Sequence, residues 1–205
     1  MTLAAFAAIY LVHLAAAISP GPAVLLAART GLREGFLRGT WLAVGLGLGA
    51  CIWALAALFG LAVLFRVAPA LLSVLKYAGA AYLLYLAWKM WRHAPEPLDT
   101  RISEEQSARG TLGLIWQGIA TQLANPKPAV FFGTIFLTFV PPEAPAWAYG
   151  VILAIIFVND AGWNALVVRI FSLPRTRSFY LNLKTAIERT FGALLALLGA
   201  KLALS

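Results

Sequence analysis

Charged residues, cysteine and histidine are all scarce in this chain, and each shortage excludes something. Only 12% of the 205 residues carry charge, while 61% are hydrophobic. A soluble domain of that length must keep a large polar share facing water, so the composition reads as an integral membrane protein. The single cysteine, Cys51, rules out a disulfide framework and a CxxC pair. Two histidines, His13 and His93, are too few and too scattered for a metal site, and His13 reads as a hydrogen-bonded core residue. Nothing in the pattern implies a cofactor or an enzyme. Lys and Arg are missing before Arg29. A signal peptide would begin with a positive region, so the opening apolar segment is kept as a span despite the small residues of AAAIS.

What is present is apolar sequence in long runs. Stretches of the length needed to span, about 20 residues, fall at 3–29, 40–65, 68–91, 112–140, 146–168 and 186–204. Six spans use nearly the whole chain, so the expected fold class is an all-α integral membrane protein with short loops. The net charge of +8 is unevenly placed. Arg29, Arg33, Arg38, Lys89, Arg92, Arg101, Arg109, Arg169, Arg175, Arg177, Lys184 and Arg189 fall on one side, and Arg66, Lys76 and Lys201 on the other. By the positive-inside rule the larger set is cytoplasmic, which turns both termini outward. These basic residues flank spans rather than form a soluble patch, so no nucleic-acid partner is expected. Membrane lipid is the surrounding partner.

The chain repeats itself. Shifted by 106 residues, SPGPAV (Ser19 to Val24) lies over NPKPAV (Asn125 to Val130) with four of six positions identical, both prolines among them. Each copy sits in the first helix of a three-helix half, and because three is odd the halves enter the membrane from opposite faces. A Pro-interrupted segment at corresponding places in two such halves points to an inverted-repeat transporter with its site at the repeat interface. The expected division is a first repeat over 1–92, a cytoplasmic linker over 93–110 and a second repeat over 111–205. The plainer reading is that the prolines only kink two helices for packing.

Ser19 and Asn125 read as N-caps of half-helices, with prolines at the first and third helical positions. The donor left between the prolines is then the N–H of Gly21 in one half and of Lys127 in the other. Prolines also deprive carbonyls four residues back of partners, those of Ala16, Ile18, Gln122 and Ala124. Such groups are tolerated at membrane depth only against protein or a water-filled cavity. Each break therefore combines donors suited to a carboxylate with acceptors suited to an ammonium, which together match a zwitterionic amino acid. The site expected to bind substrate comprises Ser19, Pro20, Gly21, Pro22, Asn125, Pro126 and Lys127, with Asn159 and Asn164 from the run FVNDAGWNALVV.

Ionisable groups inside a membrane usually mark function, and Lys127 is joined by Asp160, the one acid well inside a span. Asp160 is a candidate proton carrier, a partner for a substrate ammonium, or an ion-pair partner of Lys127. At about 1.5 Å per residue the two lie of order 10 Å apart along the helix axes, so a direct pair needs Lys127 to reach inward or the break to shorten its helix. Gly45, Gly47 and Gly49 allow close helix approach, either in the core or in a homodimer contact. Gly31, Gly35 and Gly39 read as a tight helical hairpin in preference to a gate hinge. Trp88, Trp91 and Trp147 lie near span ends as an interfacial belt.

At these residues the chain resembles the lysine exporter (LysE/RhtB-type) family of bacterial amino acid exporters. The likeness rests on PGP at Pro20 to Pro22, GLREGFLRG at Gly31 to Gly39, and NPK followed by two Phe within Asn125 to Phe132. It differs at Ala23, where many members have Asn, at Leu137 to Phe139, where Pro-Gln-Phe is common, and at Pro128, where a small residue is usual. The resemblance implies amino acid export across the inner membrane, driven by proton entry, with Pro20, Gly21, Pro22, Asn125, Pro126 and Lys127 at the site. A thiol-relay redox protein is disfavoured by the lone Cys51. A non-transporting scaffold would require Lys127 and Asp160 to be purely structural.

Overall fold

The computed structural model describes residues 1–19, 21–67, 69–96, 110–141 and 143–204. The polar linker and Pro20 therefore lie largely or wholly outside the described residues. The described residues form seven helices and their short connections: α1 (Leu3–Ile18), α2 (Pro22–Val67), α3 (Pro69–His93), α4 (Thr111–Leu123), α5 (Pro126–Phe139), α6 (Ala146–Ser172) and α7 (Pro174–Leu204).

The expected first segment, 3–29, is divided between α1 and the start of α2, and the expected fourth, 112–140, between α4 and α5. Both interruptions fall at the Pro-x-Pro motifs, because proline removes a ladder N–H and crowds the preceding turn. Conversely, α2 carries the chain through what sequence read as a loop. Its two arms meet at Gly35, whose φ of 77° and ψ of −178° lie outside helical space. A left-handed φ suits glycine, which has no Cβ to clash. Val24 on the first arm shares a cavity with Asn164, and Gly31 lies against Val168. On the second arm Gly39 also meets Val168, while Gly47 meets Ala161 and Phe157. The arms thus run in opposite directions along α6, forming the helical hairpin expected of this glycine pattern.

Small residues set the helix spacing. A Cβ at Gly45 would collide with the Ile115 carbonyl and one at Gly118 with the Leu42 carbonyl, so α2 and α4 touch backbone to backbone, as small residues permit. Gly49 packs on Gln122 and Ile119, and Gly47 on α6. The three α2 glycines are therefore spent inside the chain rather than on a second copy. Elsewhere α3 and α7 run antiparallel, Gly192 against Ala87 and Gly199 against Ala80. Lys184 closes that pair by donating to the Ala94 carbonyl at 3.1 Å while meeting Glu188 at 2.6 Å. Two helical stretches, Pro22–Gly60 and Ala146–Ser172, are by length and hydropathy alone able to cross a membrane. Leu3–Ile18 is apolar but shorter. Trp88, Trp91 and Trp147 are exposed.

Candidate functional site

The two helix breaks meet. Asn125 is the N-cap of α5, and its Oδ1 accepts the Lys127 N–H at 3.1 Å, with Pro126 opening the helix. That bond uses the donor that sequence left free: once Asn125 caps, the N–H between the prolines is the group within its reach. The first break is built differently. Ser19 is the C-cap of α1, its N–H bonding the Ala15 carbonyl, and helix resumes at Pro22. Ser19 is thus not an N-cap, because the restart comes two residues later than the repeat implies. Helix α1 ends there with terminal carbonyls in need of donors.

The Lys127 side chain supplies them. Its Nζ donates to the Ala16 carbonyl at 2.9 Å and to the Ser19 carbonyl at 3.1 Å. An ammonium has three donors, so one is left. Space for the charge comes from Gly21, where a Cβ would stand 3.8 Å from Nζ. The Ala16 carbonyl is one of those deprived by proline; the ammonium it was expected to attract is the protein's own. At the other break the Gln122 carbonyl accepts the Trp53 indole N–H at 3.2 Å and the Asn125 N–H at 3.3 Å.

Asp160 on α6 is 5% exposed and lies across the same cavity. Its Oδ2 accepts from Gln122 Nε2 at 2.9 Å and its Oδ1 from Asn164 Nδ2 at 3.0 Å. Asn164 stands one turn on and also donates to the Asp160 carbonyl at 2.8 Å, which fixes its rotamer. No ion pair joins Asp160 to Lys127. Each has its own hydrogen-bond partners, so a buried charge is met on both walls without direct contact.

The cavity measures about 30 Å³, and its walls include His13, Ser19, Gly21, Asn125, Lys127, Asp160 and Asn164. That is room for about two waters and less than an amino acid needs. Three buried atoms of its lining residues have no protein partner: His13 Nδ1, Gln122 Oε1 and Asn164 Oδ1. Buried polar atoms are normally satisfied, so these three leave hydrogen-bonding capacity unused beside one cavity.

Of the residues expected here, Ser19, Gly21, Asn125, Lys127, Asp160 and Asn164 line this one cavity. Asn159 does not. It faces α1 instead, donating to the Tyr10 carbonyl at 2.9 Å, because consecutive helix residues point about 100° apart. Pro22 is absent from the wall, and Pro20 and the side chain of Pro126 lie outside what the structure describes. Sequence reasoning missed Gln122; His13 is buried as expected of a core residue, but it lines the cavity and its Nδ1 has no protein partner. The available signal was that each is a polar side chain within an apolar run near a Pro-x-Pro motif.

Comparison with known proteins is consistent along the whole chain. A model of the LysE type translocators matches residues 14–205. The threonine efflux protein of Salmonella typhi is 30% identical over 205 residues, covering 98% of each chain. The homoserine/homoserine lactone efflux protein of Salmonella typhimurium is 30% identical over 191 residues, 91% of this chain and 89% of that one. The leucine efflux protein of Klebsiella pneumoniae is 30% identical over 139 residues, 66% and 65% of the two chains. No solved structure matches.

Proposed function

The chain belongs to the LysE type translocator family, and from that premise we propose that it is a secondary-active exporter of amino acids or small amino acid derivatives, exchanging them for protons across the bacterial inner membrane. In this reading α1 with the first arm of α2, and α4 with α5, are two broken spans of a six-span membrane domain made of inverted halves, 1–92 and 111–205, with both termini periplasmic. The packing is compatible with that symmetry. The first span lies on α6 and the fourth on the second arm of α2, while α3 lies on α7, so exchanging the halves exchanges the contacts.

One observation carries the functional reading: a cation and an anion, Lys127 and Asp160, line one small cavity where the two breaks cross. The third N–H of Lys127 is available to a substrate carboxylate. Gln122 Oε1, Asn164 Oδ1 and the Asp160 carboxylate are acceptors for its ammonium. Such a distribution suits a zwitterion and neither a plain cation nor a plain anion. It also supplies a coupling rule. A proton on Asp160 and a substrate ammonium beside it compete for the same carboxylate, so proton entry favours substrate release. Since the chamber is too small for its guest, loading requires one wall to move, and unwound backbone at the breaks is where a transporter of this design bends.

The test is counterflow and efflux from proteoliposomes against a panel of amino acids, with and without an imposed pH gradient. The expected outcome is saturable movement of at least one amino acid, stimulated by acid on the periplasmic side. In Asp160→Asn, which can keep bonds to Gln122 and Asn164, the protein should fold and the stimulation should vanish. No movement of any substrate by the wild type overturns the transporter reading, and movement indifferent to the gradient overturns proton coupling.

A further inference from the structure

We infer that the groove between α3 and α7 binds one anionic phospholipid, its phosphate held by Arg92 and Arg189 and an acyl chain laid along the helices; this rests on the six-span membrane reading above and not on transport. The groove is open and measures about 660 Å³. Leu84, Trp88 and Trp91 on α3 line it with Gly192, Ala196 and Leu197 on α7. Both tryptophans and both leucines are exposed, whereas a Cβ at Gly192 would stand 3.2 Å from the Ala87 carbonyl. The helices therefore touch along the floor while large apolar side chains form the sides.

Charge in this groove lies at one end. Because α3 and α7 are antiparallel, Arg92, late in α3, and Arg189, just before Gly192 in α7, fall at the same end. Arg92 lines the groove with its guanidinium carbon 5.4 Å from the Trp88 ring centroid, and that of Arg189 lies 6.0 Å from the Trp91 ring centroid. The rings hold both cations beside the groove. Among the described residues neither arginine has a carboxylate partner: Glu188 pairs with Lys184 at 2.6 Å, and Glu96 lies 3.9 Å from His93.

An apolar trough about 12 Å long, from Leu84 to Arg92 at about 1.5 Å per residue, thus ends in two guanidiniums. A free anion would meet the arginines and leave the trough unfilled; an uncharged chain would fill the trough and leave the arginines without an anion. A phospholipid supplies both parts, since guanidinium forks match phosphate oxygens and basic pockets between membrane helices take anionic headgroups on the cytoplasmic side. In the orientation set by the basic residues, that end is the cytoplasmic one. A second copy of the chain fits less well. An interface with its two-fold axis along the membrane normal puts each arginine pair at the level of its own copy, so like charges meet.

Native mass spectrometry of the full chain in detergent, offered equal amounts of palmitoyl-oleoyl phosphatidylglycerol and phosphatidylcholine, reads the preference directly. The two lipids share their chains and their phosphate, but choline cancels the charge. The wild type should retain one phosphatidylglycerol in preference by about 25-fold, about fivefold for each arginine. Arg92→Gln or Arg189→Gln alone should lower the preference about fivefold, and the two together should bring it to about one. Ala196→Phe, which fills the trough and leaves the arginines in place, should also weaken retention of phosphatidylglycerol. Sodium phosphate at the concentration of the lipid should not displace it. Equal retention of the two lipids by the wild type would overturn the inference, and so would an unchanged preference in the double variant. Displacement by phosphate, or full retention in Ala196→Phe, would overturn it too, because the arginines would then hold an ion with no chain in the trough. A dimer that Ala196→Phe dissociates, without lipid preference, would make the groove a contact between copies instead. If Ala196→Phe fails to fold, the arginine variants and the phosphate competition decide. The readout needs no transport, so its failure leaves the exporter reading standing, whereas a chain absent from the membrane fraction would remove the six-span reading itself.

Discussion

At the second break Asn125 caps Lys127 N–H and helix resumes at once with Pro126; at the first, α1 stops at Ile18 and helix resumes only at Pro22. The two motifs share four of six residues, yet one end supplies an ammonium and the other supplies the carbonyls and the empty space that receive it. Gly21 and Lys127 occupy equivalent repeat positions and meet in the structure. Two breaks with matching residues thus serve as complementary parts. The difference teaches that matching motifs in two halves need not do matching work: one substitution, Gly for Lys, divides the roles of host and guest.

The comparison can be broken most severely at Lys127. Lys127→Met keeps the bulk and removes the charge, leaving the Ala16 and Ser19 carbonyls without their donor. Two charge-assisted hydrogen bonds at about 1.5 kcal/mol each correspond to roughly a 100-fold loss of export, with a lowered melting temperature in detergent. A melting temperature equal to the wild type would mean that α1 does not depend on the other half for its cap. Gly21 gives a graded test from the receiving side. Gly21→Ala adds a Cβ at ordinary contact distance from Nζ, 3.8 Å, and should be close to neutral. Gly21→Leu must displace the ammonium, at an overpacking cost of about 1–3 kcal/mol, and should lower export by roughly tenfold. Export in Gly21→Leu equal to that in Gly21→Ala would show that the space is not reserved. The smallest effect separates the two caps. Asn125→Ala should cost about 1 kcal/mol as the loss of an N-cap, whereas Ser19→Ala should stay within about 0.5 kcal/mol. Equal losses in thermal unfolding would restore the symmetric picture.

Much of this geometry was legible from residue order. Proline positions marked both breaks, Asn125 declared itself as a cap, and the axial distance between Lys127 and Asp160 argued against a direct pair. Glycine spacing indicated the hairpin at Gly35. The remainder depended on which faces meet across more than a hundred residues, and local spacing carries no such information. That Lys127 reaches Ala16 and Ser19 follows from the two halves crossing. That Asn159 turns to Tyr10 while Asp160 turns inward follows from the azimuth of α6, which a helix that is polar at successive positions does not reveal. Gln122 and His13 were hidden for the same reason: each is one polar residue in an apolar run, and only the assembled cavity gives them a common purpose.

The account stands on Lys127 serving the broken end of α1 rather than the charge of Asp160. A double-mutant cycle on thermal stability, comparing Lys127→Gln, Asp160→Asn and the two together, tests that directly. If the helix end is the true partner, the coupling between the two losses should stay at or below about 1 kcal/mol, the low end for groups that share a cavity without touching. Breaking a buried ion pair costs about 3–5 kcal/mol from either side, so recovery of stability in the double variant would show that the two charges hold each other and would contradict the account.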